Sequence, residues 1–253
     1  MRQSKNLNDL WSVYKYGNRI KVVYFKSGRL SDADGHFQPG KDSGSQSGER
    51  LRESLSRTRS TVYELAACNE FEFFVTLTLD AAKRDRGDLA GYRKALAQFI
   101  RDLNRRREEG EKIRYLLVPE QHRDGSWHMH GLVKGLVVGR DLVRNEHGYL
   151  DWPAYRGKFG FISLDTIKNP AACCSYIAKY VTKSMRGDKS EKTPEIERGG
   201  HLFFCSQGLK RREVIARYLC GNVPVSEKDW DWENDYIKIK WLDLGEGGEI
   251  STS

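Results

Sequence analysis

No apolar run in this chain approaches the ~20 residues that a helix needs to span a bilayer, so a transmembrane helix is excluded. No Gly-x-x-x-x-Gly-Lys-Ser/Thr occurs either, which removes the loop that cradles nucleotide phosphates. Cysteine is sparse. The five, at 68, 173, 174, 205 and 220, show no regular ligand spacing, so reduced thiols are expected rather than a metal or disulfide scaffold. The opening residues, Met1-Arg2-Gln3-Ser4-Lys5, lack the apolar centre of a secretory signal, and a cytoplasmic location is the expectation. There is no repeat on the scale of a domain.

What the chain has is length and positive charge. Its 253 residues suffice for a full core. The net charge of +8 points to a polyanionic partner, nucleic acid before an acidic membrane.

Residues 19–25 (RIKVVYF) read as a short strand. Residues 31–48, rich in Gly, Ser and Asp, read as a mobile loop. Apolar residues at helical spacing then predict an amphipathic helix over 49–67, with Arg57 among the basic residues on its other faces. Residues 71–79 (FEFFVTLTL) have the β-branched and aromatic density of a central strand. Asp88 opens a second helix with Tyr92, Leu96, Phe99, Ile100 and Leu103 on one face. Strands follow at 113–118 and 127–138 around a turn at Asp124-Gly125, and another at 159–164. Asn169 and Pro170 read as an N-cap and a first helical residue. Residues 202–205 and 237–241 are further strand candidates. Antiparallel hairpins with inserted helices predict an α+β fold, a central antiparallel sheet with the helices stacked on one face. The domain boundaries expected are an N-terminal extension over 1–48, a main domain over 49–215, and a C-terminal segment over 216–253 packed on it.

Residues 175–183 (SYIAKYVTK) repeat Tyr-x-x-Lys twice without a gap. At ~100° per residue, Tyr176, Lys179, Tyr180 and Lys183 share one arc, while Cys173, Cys174, Ile177, Ala178 and Val181 fill the opposite side. A phenol ordinarily ionises near pH ~10, and a nearby ammonium favours the phenolate. Two phenols one turn apart suggest two successive transfers at one phosphorus centre.

His128 and His130 lie two apart in a strand and so project from one face, where both imidazoles reach a single cation. Alone, this pair suits two partly exposed structural histidines better than a metal site. The partner strand carries Glu120. An odd-numbered turn centred on Asp124, with Gly125 left-handed, sets Glu120 opposite His128; a two-residue turn points it away. Two imidazoles and a carboxylate suit Mg²⁺ or Mn²⁺ in phosphoryl chemistry, with Zn²⁺ the tighter binder in the Irving–Williams order. His122 shares the face and reads either as a substitute ligand or as an exposed turn residue. Gly208, Lys210 and Arg211, in SQGLKRR, read either as a phosphate grip or as a solvated basic turn, and Arg57 as a DNA contact or a solvent-facing charge.

A Phe-Val-Thr-Leu-Thr strand, a later His-x-His strand and a Tyr-x-x-Lys-Tyr-x-x-Lys helix, in that order, resemble the HUH endonucleases. The paired tyrosines most resemble the two-tyrosine rolling-circle replication initiators of single-stranded DNA phages and small plasmids. The resemblance covers roughly residues 70–210. It implies a ferredoxin-like, RRM-related core, with Thr76 and Thr78 on a strand near the DNA. It implies His128, His130 and Glu120 as ligands of Mg²⁺ or Mn²⁺, Tyr180 as principal nucleophile and Tyr176 as second nucleophile or packing neighbour. Lys179 and Lys183 would stabilise developing charge. The implied partner is single-stranded or unwound origin DNA, with no membrane and no ATP. With the P-loop missing, helicase and polymerase would come from the host. Relaxases and tyrosine transposases share the chemistry, and an origin-binding repressor without chemistry is the non-enzymatic alternative.

Overall fold

The computed structural model describes residues 10–25, 46–183, 202–220, 229–234 and 237–245, with side chains for all of these except 46–53, 182, 183 and 218–220. Most of the expected 31–48 loop, the Lys183 side chain and the tail beyond 245 lie outside them. In chain order the strands and helices are β1 (Leu10–Tyr16), β2 (Arg19–Phe25), α1 (Gln46–Ala67), β3 (Phe73–Thr78), α2 (Leu89–Asn104), β4 (Arg114–Gln121), β5 (Trp127–Lys134), β6 (Val143–Arg144) and β7 (Leu150–Asp151). There follow α3 (Pro153–Lys158), β8 (Ile162–Thr166), α4 (Pro170–Lys183), β9 (Phe204–Cys205), β10 (Glu213–Cys220), β11 (Trp232–Glu233) and β12 (Ile237–Asp243). Among the described residues no helix is long and apolar enough to cross a membrane.

The chain divides into two compact units, one of residues 1–47 with 211–253 and one of 48–210. The first holds a five-stranded antiparallel sheet in the order β10-β1-β2-β12-β11. Here β12 pairs with β2 along its whole length, from Ile237 opposite Phe25 to Asp243 opposite Arg19. β10, β11 and β12 thus share a sheet with β1 and β2. Pairing across more than 200 residues leaves no local trace in either segment. In this sheet Arg19 and Lys21 lie over the Trp241 ring, and Arg212 over the Tyr14 ring.

The second unit is built on the antiparallel sheet β8-β3-β5-β4-β9. Its strands alternate strictly, so one face carries Val75, Leu77, Met129 and Leu117, and the other Phe74, Thr76, Thr78, His128, His130, Val118 and Glu120. The first face is covered by Tyr92, Leu96, Phe99 and Ile100 of α2 and Tyr155 of α3. The second is covered by Val62, Leu65 and Ala66 of α1 and Cys174, Ile177, Ala178 and Val181 of α4. Helices therefore cover both faces rather than one. The reason is visible in β4, where Leu116, Leu117 and Val118 are all buried in succession, so neither face tolerates water. Asp88 caps α2 by accepting from Gly91 N at 2.8 Å, and Asn169 caps α4 by accepting from Ala172 N at 3.0 Å. Cys68, Cys173, Cys174 and Cys205 are thiols rather than disulfides.

Gly131, next to His130, leaves no room for a side chain between β5 and β4. A Cβ there would lie 2.3 Å from the Leu116 carbonyl oxygen and 2.4 Å from Leu117 Cδ2. Gly131→Ala should destabilise the fold by roughly 1–3 kcal/mol, read as a lower urea midpoint with unchanged slope. An unshifted midpoint would show that the two strands are not so closely pressed.

Candidate active site

The β4–β5 hairpin decides where Glu120 points. Glu120 pairs with His128 and Gln121 with Trp127. Inside them His122 N donates to Ser126 O at 2.9 Å, which leaves a three-residue loop, and Gly125 sits at φ 83. Asp124 stiffens the loop by accepting from the Ser126 amide and hydroxyl. The odd register thus holds, and the carboxylate stands on the histidine face.

β3 lies on the other side of β5, with Thr78 opposite His128 and Thr76 opposite His130. Each threonine hydroxyl meets its imidazole at Nδ1, at 3.0 Å for Thr78–His128 and 3.1 Å for Thr76–His130. These contacts give the threonines a use besides the expected place near the DNA. Their hydroxyls orient the rings, leaving Nε2 of each imidazole as the outward nitrogen.

His130 Nε2 lies 2.7 Å from Glu120 Oε2, and both side chains are largely buried. His128 is half-buried and stacks on the exposed His122 ring at 3.8 Å. Burial, then the charges of His122, His130 and Arg86, lower the His128 pKa, against an opposing pull from Glu120. Its neutral, metal-ligating form is favoured. Among the described residues no three His, Cys, Asp or Glu side chains close on one point. The donors nonetheless have the right chemistry for a divalent cation, since a carboxylate oxygen and two imidazole nitrogens share one sheet face and the ring orientation is set from behind.

α4 brings the phenols to this face. Ile177, Ala178 and Val181 bury against the sheet, and Tyr180, 8% exposed, turns inward with them. Its ring stacks on His130 with centroids 4.2 Å apart. Tyr176, 48% exposed, reaches across the edge and its hydroxyl shares a 2.8 Å hydrogen bond with that of Tyr180. Phe74 supports the Tyr176 ring at 5.4 Å. The sequence expectation of one face with two phenols and two ammoniums is therefore corrected. Tyr180 points to the sheet while Lys179 is exposed, because Tyr180 lies one helical turn from Ile177 and joins its apolar stripe. The predicted direction of the phenol's shift reverses too. Burial, the bond to Tyr176, the Tyr176 charge and the Glu120 carboxylate all raise the Tyr180 pKa well above its ordinary range.

A family model described as a replication-associated protein of the ORF2 type matches residues 72–185. Over this stretch the chain is similar to that family. The stretch runs from β3 through α4 and so contains both threonines, Glu120, both histidines and both tyrosines. No curated protein and no solved structure matches the chain.

The remaining DNA-contact candidates fall outside residues 72–185. Gly208 is left-handed at φ 77, and a Cβ on it would meet the Arg114 guanidinium at 2.5 Å. Asn69 clasps the main chain of Lys210, accepting from its amide at 2.9 Å and donating to its carbonyl at 3.0 Å. Ser206 is bonded to Tyr115, five residues along β4 from Glu120 and about 17 Å away at the usual strand rise. Arg57 is exposed on α1, and Arg211 belongs to the other unit. Sequence reading passed over two aromatic contacts, the His122–His128 stack and the Phe74–Tyr176 contact, since neither has a local spacing signature.

The raised Tyr180 phenol has a measurable consequence. A group that holds its proton more tightly when folded contributes stability that is complete below about pH 10 and declines as pH rises through the folded value. Wild-type stability should therefore fall relative to Tyr180→Phe only above about pH 10, and one late-titrating phenol should vanish from the tyrosinate absorbance of the variant. Loss of a phenol that titrates at or below the ordinary value would contradict the buried setting.

Proposed function

We propose that this protein is a rolling-circle replication initiator that nicks and rejoins single-stranded DNA through a 5′-phosphotyrosine on Tyr180. The observation that carries this reading is the stacking of the Tyr180 ring on His130 at 4.2 Å, with Glu120 2.7 Å beyond. A nucleophile, an imidazole and a carboxylate thereby meet on one sheet face within the stretch similar to a replication-associated family.

His130 Nε2, the Glu120 carboxylate and, after a turn of its ring from His122, His128 Nε2 would hold Mg²⁺ or Mn²⁺. Such an ion supplies positive charge that binds non-bridging phosphate oxygens and reverses the pressures keeping Tyr180 protonated. The Tyr180 oxygen attacks phosphorus in line, the bond to the 3′ oxygen breaks, and that oxygen leaves as a 3′ hydroxyl. The phenol proton passes out through the hydrogen-bonded Tyr176 hydroxyl, which reaches solvent. Tyr176 then serves the second transfer, attacking the regenerated junction so that the freed 3′ hydroxyl displaces Tyr180 and closes the circle. One phosphoester replaces another at each step, so no ATP is consumed. Lys179, exposed on α4, acts on the DNA backbone, and Lys183 is assigned the same role from its place in the motif. The substrate is single-stranded or unwound origin DNA, and unwinding and synthesis fall to host helicase and polymerase.

Incubation with single-stranded origin DNA and Mn²⁺, followed by a denaturing gel, should give a covalent adduct that chelator prevents. Tyr180→Phe should abolish it, and Glu120→Ala or His130→Ala should reduce it by about 10²-fold or more. Tyr176→Phe should form the first adduct more slowly, having lost the hydroxyl that carries the proton out, and should lose circle closure. A full adduct in Tyr180→Phe would refute the assignment, and sequence-specific binding with no adduct in the wild type would favour a repressor.

Thr76→Val should weaken Mn²⁺ binding by about 10–100-fold, since it removes the hydroxyl behind His130 at nearly constant volume, and Thr76→Ser should restore it. Combined with His130→Ala, Thr76→Val should add no further loss. An additive loss would assign the threonine a role independent of the imidazole.

A further inference from the structure

We propose that Phe161 is a stacking platform for one unpaired base of the DNA strand whose phosphate lies at the Tyr180 centre, an inference that rests on the function proposed above. The ring is 62% exposed, an unusual setting for a phenylalanine on the covered core sheet. Its position gives the exposure a meaning that a scattered surface side chain lacks. Thr78 N donates to Phe161 O at 2.9 Å, continuing the β3–β8 ladder in which Leu77 faces Ile162. Phe161 is therefore the cross-strand neighbour of Thr78 and shares its face.

The alternation in β8 agrees. Ile162 and Leu164 pack into the α2 core, while Phe161, Ser163 and Asp165 are exposed on the other side. One row across the sheet thus reads Phe161, Thr78, His128, Glu120, by the registers of three adjoining strand pairs. Phe161 stands two strands from His128, about 10 Å at ordinary strand spacing. A strand whose phosphate sits at the histidines can place a neighbouring base over that ring.

The main chain beneath the ring is held on both sides. Besides the Thr78 bond, Asp80 N donates to Phe159 O at 2.8 Å. A fixed aromatic face is what an unpaired base of any sequence stacks upon. Along the same edge the side chains turn to Ser163 and the anionic Asp165, so the apolar contact is one ring wide and accepts one base. Paired bases keep their faces inside the duplex, so the platform selects single strands.

The test measures affinity of the full chain in chelator, so that no cleavage occurs, for three probes: oligothymidylate, an abasic deoxyribose-phosphate chain of equal length, and a duplex. Phe161→Ala should weaken oligothymidylate binding about tenfold and leave the abasic chain and the duplex unchanged, and Phe161→Trp should restore binding. Equal losses on oligothymidylate and the abasic chain would show a general effect and overturn the platform. Wild-type affinity in Phe161→Ala beside an intact Tyr180 adduct overturns the platform while the nicking reading stands. A wild-type chain that binds no single strand overturns both.

Discussion

The register between three neighbouring strands is the constraint on which the rest depends. With Thr78 opposite His128 and His128 opposite Glu120, every polar group of the candidate centre falls on one side of the sheet. A slip of one residue in either pairing would turn the carboxylate or the hydroxyls into the α2 core. That slip is prevented twice. The three-residue turn at Gly125 sets the β4–β5 phase. The alternate residues Val75, Leu77, Met129 and Leu117 are buried on the opposite face and hold both pairings there.

α4 adds the proposed nucleophile, Tyr180, to a face already arranged. Its apolar stripe determines its rotation, and Tyr180 is carried inward as part of that stripe. The same burial that presses the phenol onto His130 makes ionisation harder, and Glu120 makes it harder still. The phenol is therefore held protonated beside a carboxylate, and the His128 imidazole favours its neutral form. In the proposed chemistry a bound cation and phosphate would oppose that hold on the phenol proton.

Much of this was legible in the sequence because it is local. Residues 19–25 form β2 with the bounds expected, Asp88 and Asn169 cap their helices, and the three-residue turn with Gly125 left-handed is one of the two turn lengths that the sequence left open. What was not legible is what depends on distant partners. β1 and β10 owe their pairing to each other across some 200 residues, from Leu10 opposite Cys220 to Lys15 opposite Glu213. The α3 turn, PAYRGK, is too short to show a period, although it delivers Tyr155 to the core, where its hydroxyl meets that of Tyr92 at 2.6 Å. The lysines of the tyrosine helix misled for a related reason. Angular position on a helix groups Lys179 with Tyr180, but packing against the sheet separates them. The threonines read as neighbours of the DNA are also neighbours of the imidazoles, a partnership that needs the sheet to be assembled before it can be seen.

The chemistry requires that a cation held by His130 and Glu120 lie close to the Tyr180 phenol. Fluorotyrosine labelling with ¹⁹F detection measures this directly, since bound Mn²⁺ broadens only nearby nuclei. Stoichiometric Mn²⁺ should erase the Tyr180 signal and leave that of Tyr149, 71% exposed next to β7, sharp. A Tyr180 signal that stays sharp while Mn²⁺ is bound would place the ion elsewhere and contradict the proposed centre.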